Sequence, residues 1–507
     1  MKKIIAFTLA ALFILAAVVG CSKPNNDKPS GTTAPKDQPG DDTSGEITTA
    51  ADTKPFYIDL DYDGAEILLT CRDEYNNFVI GENNGDIFFQ SIYDVNQMVE
   101  DHLGVDIEFE FGSKSTEQFI NQTAKLILGN DCPYDIVLPD QFYSSTYITQ
   151  GAFLDAAHLN TEHNYIDLDK DCWYHYYMDN LKINGDQTFF LSGSLSPSIL
   201  AWTGCTFVNI NMYNDIFGNS INEFLDDVEA GKWTIDLMRE KCEATYIDVN
   251  NNSKVDENDR LGGCVTEGQS AEFAAMSAGL KFSRTLADGS MIVTGDEEVS
   301  LKAFEKTFDL YNNTLGFYDY KFTDLSNLVD SQKFAEDTCL FVPEYIIYAF
   351  WEDMRNMESS YVIIPRPKAD EQQEQYISCT QDCFFLYAIP TSTPTDKLEP
   401  ISAVIETMCE LYDEKVIPNM YEVSLKIKYA AEEIDPEQTS RLLDLIRDNI
   451  TTDFAVVFNT SLARYPGQAA NCVYSTRESW SRLFGIQKKS IQLRLDTLIA
   501  SLEKLKK

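Results

Sequence analysis

The sequence has few histidines, no paired cysteine motif and none of the common hydrolase or nucleotide-binding motifs. It contains four histidines and no CxxC pair, which argues against a zinc site. The patterns GxSxG, GxxxxGK[ST], HExxH and GxGxxG are all absent. An SxxK match at 501–504 lies in a charged terminal segment without partner motifs. The count of 81 acidic residues does not exclude the carboxylate pair that a glycosidase uses, although no such pair stands out in the sequence. We therefore expect a protein that is not an enzyme.

Positive charge is also scarce, with 40 Lys and Arg against 81 Asp and Glu and a net charge of −41. Nucleic-acid binding needs basic residues that displace counterions from phosphates, so no nucleic-acid partner is expected. Polyanionic ligands and anionic membrane surfaces are disfavoured as well, and a neutral or cationic ligand fits better. Acidity by itself also keeps an exported protein soluble. The 507 residues exceed what one hydrophobic core usually serves, which favours two or more lobes.

The N-terminus has the pattern of an export signal. Two lysines precede an apolar run that ends near residue 19, too short for a clear membrane-spanning helix. The stretch Val18 to Cys21 looks like a bacterial lipobox, which implies a lipoprotein signal peptide at 1–20 and lipidation of Cys21, for example by palmitate. An uncleaved anchor helix with a chance cysteine is the alternative. Residues 21–55 are dominated by Pro, Gly, Ser, Thr and Asp, which predicts a disordered tether. The expected location is the extracellular face of the bacterial cell membrane.

The remaining eleven cysteines are scattered along the chain, many of them in apolar runs. Because eleven is odd, at least one thiol must be free or must pair between chains. Buried free thiols are the simplest interpretation.

Short buried strands alternate with amphipathic helices, which is typical of a parallel α/β lobe. The first such elements are predicted at 65–71, 91–104, 105–111, 115–129 and 134–140, and others recur at 338–344, 397–414 and 437–449. Parallel sheets bind ligands outside the C-terminal ends of their strands. Those ends read "CRDEY" at 71–75 and "PDQFY" at 139–143. This mixture of polar and aromatic side chains suits a polar small molecule with apolar faces, such as a sugar.

Five stretches, taken in chain order, form a recognisable pattern between about residues 65 and 460. They are "PYDIVLPDQFYSSTYITQGAFLDAAHL", "FVNINMYNDIF", "GKWTIDLM", "SYVIIPRPKADEQQEQYIS" and "PNMYEVSLKIKYAAEE…RLLDLIRDN". Together they resemble extracellular solute-binding protein family 1, the sugar-type receptors of ABC importers. Two stretches depart from the family pattern, with Asn419-Met420 in place of Ala-Tyr and "TTDFAVVF" in place of Tyr-Asp-Leu-Gly. These departures leave the ligand open.

The resemblance implies an α/β, two-lobed type II periplasmic-binding fold with a hinge and a ligand cleft between the lobes. Lobe one is expected at 56–204 and 335–395, and lobe two at 205–334 and 396–507. A monomeric, lipid-anchored receptor of this kind would trap a small polar solute, by analogy an oligosaccharide, and deliver it to an ABC permease. The resemblance places the ligand contacts at Arg72, Asp73, Asp140, Tyr143, Trp202, Glu344 and Tyr345.

The segment "DVNNNSKVDEND" at 248–259 has the ligand spacing of a calcium loop. The expected ligands are Asp248, Asn250, Asn252, the Lys254 carbonyl, Asp256 and Asp259. Position six is Ser253, where glycine normally makes the turn, and only three carboxylates are present. We therefore expect weak, structural Ca²⁺ binding, with a Kd on the order of 10⁻⁴–10⁻³ M. A solvated acidic turn without metal is the alternative.

The same loop leaves a second function open, that of a calcium-dependent dockerin-like or adhesion lipoprotein. A dockerin carries two such loops and this chain has one, so we favour solute capture. The C-terminal segment "SIQLRLDTLIASLEKLKK" has apolar residues on one helical face, which predicts a terminal helix docked on the protein rather than on a membrane surface.

Overall fold

The computed structural model describes residues 58–81, 86–218, 221–266, 271–320, 329–426 and 434–505. The strands are β1 Ala65–Arg72, β2 Val105–Gly112, β3 Ile136–Val137, β4 Cys205–Asn209, β5 Leu261–Thr266, β6 Ser283–Thr285, β7 Met291–Val293, β8 Phe317–Tyr320, β9 Cys339–Val342, β10 Tyr361–Pro365, β11 Ser378–Cys379 and β12 Ile450–Thr451. The helices are α1 Asn76–Ile80, α2 Ile87–Leu103, α3 Thr116–Leu128, α4 Ser145–Ile148, α5 His175–Leu181, α6 Pro197–Ala201, α7 Ile210–Phe217, α8 Ile221–Glu229, α9 Ile235–Thr245, α10 Ala271–Ser277, α11 Glu298–Asn313, α12 Val329–Ala335, α13 Glu352–Asn356, α14 Leu398–Leu411, α15 Ile417–Lys426, α16 Pro436–Arg447, α17 Phe454–Val457, α18 Tyr465–Ala470 and α19 Trp480–Leu502.

Lobe one is built on a parallel sheet with the strand order β2-β1-β3. β1 pairs with β2 over its whole length and with β3 on its other side. An antiparallel segment extends the sheet, because Ala388 bridges to Val137 of β3. Helix α2 is fixed at both ends: the Asp86 carboxylate accepts the backbone N–H groups of its first turn, and Gly104 takes the left-handed conformation that ends it.

Lobe two is built on a mixed sheet with the strand order β10-β4-β9-β5-β8. β4 is antiparallel to both of its neighbours, whereas β5 is parallel to β8 and β9. Every residue of β4, β5 and β9 is buried, as expected for central strands covered on both faces. The edge strand β10 is buried along its whole length as well.

Three stretches that run side by side connect the two sheets, and we call 203–205, 378–383 and 450–451 the crossing segments. Thr203 bridges to Thr380, and the Gly204 N–H donates to the Cys379 carbonyl at 2.9 Å. β11 pairs in parallel with β12, which joins the second stretch to the third. These hydrogen bonds make the connection between the lobes a small bundle of extended chain.

Most predicted elements are confirmed, and the sheets divide the chain differently from the predicted lobe boundaries. β1, α2, β2 and α3 lie where the periodicity placed them. β9 and β10, within the stretch 335–395 assigned to lobe one, are strands of the second sheet because they pair with β4 and β5. Helix α14, in the stretch 396–507 assigned to lobe two, packs against α2 beside the first sheet. The signal peptide, the tether and Cys21 lie outside the described residues.

The C-terminal helix α19 is docked on the protein, as predicted. Ile491, Leu495, Leu498 and Leu502 are buried along one side, and the Trp480 indole N–H donates to the Gly295 carbonyl at 2.7 Å. No helix within the described residues combines the length and the apolar character needed to cross a bilayer.

The eleven cysteines from Cys71 to Cys472 are all free. Nine are buried, and only Cys132 and Cys383 are partly exposed. The prediction of buried free thiols is therefore confirmed for most of them. Burial raises the pKa of thiols such as Cys205 and Cys242 well above its usual value, which keeps them protonated and unreactive.

Candidate functional site

The C-terminal end of β1 positions a buried arginine beside the crossing segments. The Arg72 guanidinium lies over the Tyr75 ring, with 4.7 Å to the ring centroid, and donates to Glu74 and Thr116. Tyr75 in turn packs against Phe385, with the ring centroids 5.5 Å apart. Arg72 is thus held in a fixed position by groups of lobe one.

The C-terminal end of β3 positions a buried carboxylate, Asp140. Its Oδ1 accepts the Tyr143 N–H at 2.9 Å and its Oδ2 accepts the Ser144 hydroxyl at 3.1 Å. Burial raises the pKa of Asp140, while these hydrogen bonds and the charge of Arg72 oppose the rise. Asp140 therefore shapes its own turn and also supplies negative charge at this edge of the sheet.

Three acids are linked electrostatically in a chain, Asp140 to Asp382 and Asp382 to Glu272, and we call these three residues the acidic cluster. Burial raises the pKa of Asp382, in the crossing segments, to about 6, and the Asp140 carboxylate raises it further. Burial also raises the pKa of Glu272, in α10 of lobe two, to about 7, with Asp382 adding to the effect. The cluster thus takes one carboxyl group from lobe one, one from the crossing segments and one from lobe two.

Asp382, Glu272 and Arg366 are not among the site residues predicted from the sequence. The only local sign of Asp382 is the polar stretch "TQD" at 380–382 between buried runs. Glu272 stands near the start of a short helix and carries no motif, so only the tertiary structure brings it to the cluster.

An aromatic and cationic group borders the acidic cluster on the side of lobe two. The rings of Trp202 and Tyr345 lie 6.0 Å apart at 56°, and the Arg366 guanidinium lies 5.0 Å from the Tyr345 centroid. Tyr345 is buried, whereas Trp202 is partly exposed. Burial raises the pKa of Tyr345, and Glu272 is among the groups that raise it further, which ties this group to the acidic cluster. Trp202 is therefore the aromatic side chain best able to offer a ring face to a ligand.

Glu344 is enclosed rather than open to a ligand. It is 2% exposed, and its Oε1 has no hydrogen-bond partner. Burial raises its pKa well above the usual value, the Asp330 carboxyl raises it further, and Arg366 lowers it. The Asp330 Oδ2 is buried without a partner as well. Because two carboxylates in one buried site are costly, we interpret the pair as holding one proton between them.

Two of the predicted contact residues lie outside this group of side chains. Asp73 pairs with Lys114 at 3.3 Å on the surface, and both side chains are exposed. Tyr143 is partly buried beneath the Arg464 guanidinium, which lies 5.9 Å from its ring centroid. Arg72, Asp140, Trp202, Glu344 and Tyr345 are therefore linked through the acidic cluster and Arg366, and a direct role for any of the seven in ligand binding stays a prediction.

The loop at 248–259 has part of the geometry expected of a calcium loop. Asp248 accepts the backbone N–H groups of Asn252 at 3.1 Å and Ser253 at 2.7 Å. Ser253 has φ +61°, so it takes the left-handed turn that glycine normally makes at position six. Asp259 is buried and closes the loop by accepting the Val249 N–H at 3.1 Å. The backbone therefore already has the required turn.

The side chains of the loop fit a cation less well. The Asn250 amide nitrogen donates to both oxygens of Asp256, at 3.2 and 3.0 Å, and the Asn252 amide nitrogen donates to Asp256 too. These nitrogens occupy the position in which a calcium loop presents oxygens. Within the described residues no three His, Cys, Asp or Glu side chains converge on a possible metal site. Rotation of both amides by a half turn would present oxygens instead.

Comparison with solved structures identifies the fold. The chain is similar to the ABC substrate-binding protein Lmo0181 of Listeria monocytogenes in complex with cycloalternan, with 12% identity, a TM-score of 0.50, and 86% of this chain and 100% of that chain covered. It is similar to UgpB of Mycobacterium tuberculosis in complex with glycerophosphocholine, with 11% identity and a TM-score of 0.53, and the match covers 86% of this chain and 99% of that chain. It is also similar to the GacH receptor of Streptomyces glaucescens, solved unliganded and with acarbose. The identity is 10% and the TM-score 0.52, and the match covers 85% of this chain and 99% of that chain.

These likenesses, together with the two sheets and the crossing segments, define the class: the chain has the two-lobed α/β fold of the periplasmic solute-binding proteins. The predicted fold is therefore confirmed. No family model matches the sequence, and no curated protein matches it either.

Proposed function

We propose that this protein is an extracellular receptor that captures a small polar solute between its lobes and passes it to an ABC import permease. The observation that carries the proposal is the junction of the two sheets at the crossing segments, where Arg72 and Asp140 of lobe one and the Trp202–Tyr345–Arg366 group on the side of lobe two are held in place. A ligand that contacts both sets of side chains must touch both lobes. The carbohydrate and polar ligands named for the solved structures of this fold support the same function.

Closure is expected to depend on hydrogen-bond donors from the ligand. Glu272 and Asp382 are half-buried acids whose charges oppose one another, so bringing the lobes together without a ligand would bury repelling groups. Hydroxyl or ammonium groups of a solute would donate to these carboxyl groups and offset that cost. The Trp202 ring would pack against an apolar face of the solute, as aromatic rings do with sugars. We therefore propose a neutral or cationic carbohydrate or polyol as the ligand.

Thermal unfolding with a panel of mono- and oligosaccharides, polyols and amino sugars tests this function. A solute that binds only the folded state at a hundred times its Kd should stabilise the protein by about 2.7 kcal/mol. Glu272→Gln and Trp202→Ala should reduce the shift, whereas Glu162→Gln, an 86% exposed glutamate elsewhere, should leave it unchanged. Chemical turnover of a panel member, or shifts that persist in both site variants, would count against capture at this site.

Lipid anchoring at Cys21 remains part of the proposal, because the Val18 to Cys21 stretch resembles a lipobox. Metabolic labelling with palmitate should label the wild-type protein and leave Cys21→Ala unlabelled. Equal labelling of the two proteins would contradict lipid anchoring at Cys21.

We also propose that the loop at 248–259 binds one Ca²⁺ as a structural element of lobe two. The supporting observation is the left-handed turn at Ser253 above the two oxygens of Asp248. The loop joins α9 to β5, the latter a central strand of the second sheet. Bound Ca²⁺ would stabilise that connection. A dockerin-like or adhesion role would instead require calcium-dependent attachment to another macromolecule, without any solute effect.

A further inference from the structure

Helix α19 has one side buried against the protein and another that none of the described residues covers. Trp480, Phe484, Ile491, Leu495 and Leu498 belong to the buried side. On the outer side, Ile486 is 71% exposed and Leu493 is 67% exposed, the two highest values among the large hydrophobic residues of the described chain. The protein thus keeps two aliphatic side chains in solvent, two helical turns apart.

Basic residues flank these two aliphatic side chains. At 100° per residue, Arg482, Ile486, Lys489 and Leu493 fall within an arc of about 60° on the helix surface. We call these four residues the outer stripe of α19, and Arg494 is exposed beside it. Within the described residues no carboxylate forms an ion pair with Arg482, Lys489 or Arg494, whereas the neighbouring Lys488 pairs with Asp296 at 2.7 Å.

The charge of this segment is opposite to that of the rest of the chain. Residues 480–507 contain seven Lys or Arg and two Asp or Glu, in a protein whose net charge is −41. Scattered basic residues in such an acidic protein would normally pair with nearby acids, as Lys232 does with Asp227 at 2.8 Å. A concentration of unpaired positive charge beside exposed aliphatic groups is the pattern of a helix that lies on an anionic lipid surface.

We propose that the outer stripe of α19 docks on an anionic phospholipid bilayer. Ile486 and Leu493 would insert between lipid headgroups, and Arg482, Lys489 and Arg494 would interact with the phosphates. The stripe is convex and belongs to one helix, so it offers no pocket for a small solute, whereas a bilayer can cover it along its whole length. The contact is independent of which solute the lobes bind.

The acidity of the remaining protein does not prevent such a contact. At 0.1 M ionic strength the Debye length is about 10 Å, so lipid phosphates at the stripe are screened from carboxylates on distant faces. The same screening makes the contact sensitive to salt, with binding at low ionic strength and release at high ionic strength.

Sedimentation with lipid vesicles tests the proposal. The protein used is the chain from residue 22 onward, which keeps every described residue but carries neither the signal segment nor a lipid. It should bind vesicles of 30% phosphatidylglycerol in phosphatidylcholine at 50 mM NaCl. Binding should be absent with pure phosphatidylcholine and lost at 500 mM NaCl. Equal binding to both vesicle types, or no binding at low salt, would overturn the proposal.

Matched variants assign the contact to the stripe. Arg482→Gln/Lys489→Gln/Arg494→Gln should lower the partition coefficient about 100-fold, since each basic residue near an anionic surface contributes roughly fivefold. Ile486→Ser/Leu493→Ser should lower it about tenfold through the lost aliphatic insertion. Lys125→Gln/Lys232→Gln/Lys333→Gln makes the same change in net charge elsewhere and should have no effect. An equal loss in this control, or binding to acidic proteins but not to vesicles, would refute lipid docking.

Discussion

Glu272 is the residue whose titration most directly links stability to the candidate site. Burial and the Asp382 carboxylate raise its pKa to about 7, above the roughly 4.3 of an unfolded chain. Between these two pH values the folded protein binds a proton that the unfolded chain has released. The folded state of the ligand-free protein therefore loses stability as the pH rises through this window, and the loss is complete above pH 7.

We expect Glu272→Gln to stabilise the ligand-free protein at pH 8 by on the order of 1 kcal/mol, a value reduced for the partial exposure of the side chain. At pH 4 the two proteins should be nearly equal in stability, because the wild-type carboxyl group is then protonated in the folded state and mostly protonated in the unfolded chain. Urea unfolding at the two pH values measures the difference. Glu162→Gln, at an exposed position, serves as the control, and a pH-independent effect of Glu272→Gln would contradict the assignment.

Lys170 forms an ion pair that supports the helices of lobe one. Its Nζ lies 2.8 Å from the Glu406 Oε1, and Glu406 is fully buried on α14. Lys170→Met would leave this carboxylate unpaired and should destabilise the protein by about 3 kcal/mol. Lys170→Met/Glu406→Gln should recover most of the loss, as measured by urea unfolding. Lys182→Met, which breaks a surface pair with Asp179, should cost less than 1 kcal/mol.

Part of the candidate site could be predicted because strand ends are visible in a sequence. Arg72 and Asp140 follow apolar runs, so the polar residue at each C-terminal edge was expected. Asp382 and Glu272 could not be found this way, because their proximity depends on the crossing segments and on α10, far apart in the chain. Asp73 differs from these two residues, since its side chain turns to the surface and to Lys114 only one residue after Arg72.

The loop at 248–259 gives a prediction about one connection of lobe two. With Ca²⁺ at ten times its Kd, binding to the folded state alone should add roughly 1.4 kcal/mol to the free energy of unfolding. Thermal unfolding in millimolar CaCl₂ against a chelator should show this gain in the wild type. Asp248→Ala should abolish it, while Asp288→Asn, an acid in another turn, should retain it. Equal melting temperatures with calcium and with chelator would show that the loop binds no calcium and is a turn stabilised by hydrogen bonds from its own amides.

Helices and strands with a clear hydrophobic period could be predicted from the sequence. Elements whose hydrogen bonds come from residues far away in the chain could not. The alternation in β2 and the Gly104 stop of α2 depend on neighbouring residues only. The strand predicted at 134–140 is assigned at Ile136–Val137 alone, although the Asp135 and Leu138 N–H groups continue the hydrogen bonding to β1. The predicted lobe boundaries differ from the sheets because short crossing segments carry no composition signal.

For the molecule as a whole, capture by closure predicts a change of shape. Small-angle scattering should give a smaller radius of gyration when a stabilising solute is added, from a starting value of about 22 Å for a compact chain of this size. Trp202→Ala should require at least tenfold more solute for the same change. Tyr93→Ala, an exposed aromatic on α2, should behave as the wild type. A radius unchanged at saturating solute would contradict closure.

The order in which the chain is synthesised matters for lobe one. Its sheet is completed by the segment around Ala388, and the Thr391 hydroxyl donates to the Gly151 carbonyl 240 residues earlier. Contacts so distant in sequence form slowly, because a long loop must close before they can be made. The first 350 or so residues to leave the ribosome thus have an open sheet edge that only a later segment of the chain can close. The topology therefore places the completion of the first sheet late in synthesis, after the central strands of the second sheet have already been made.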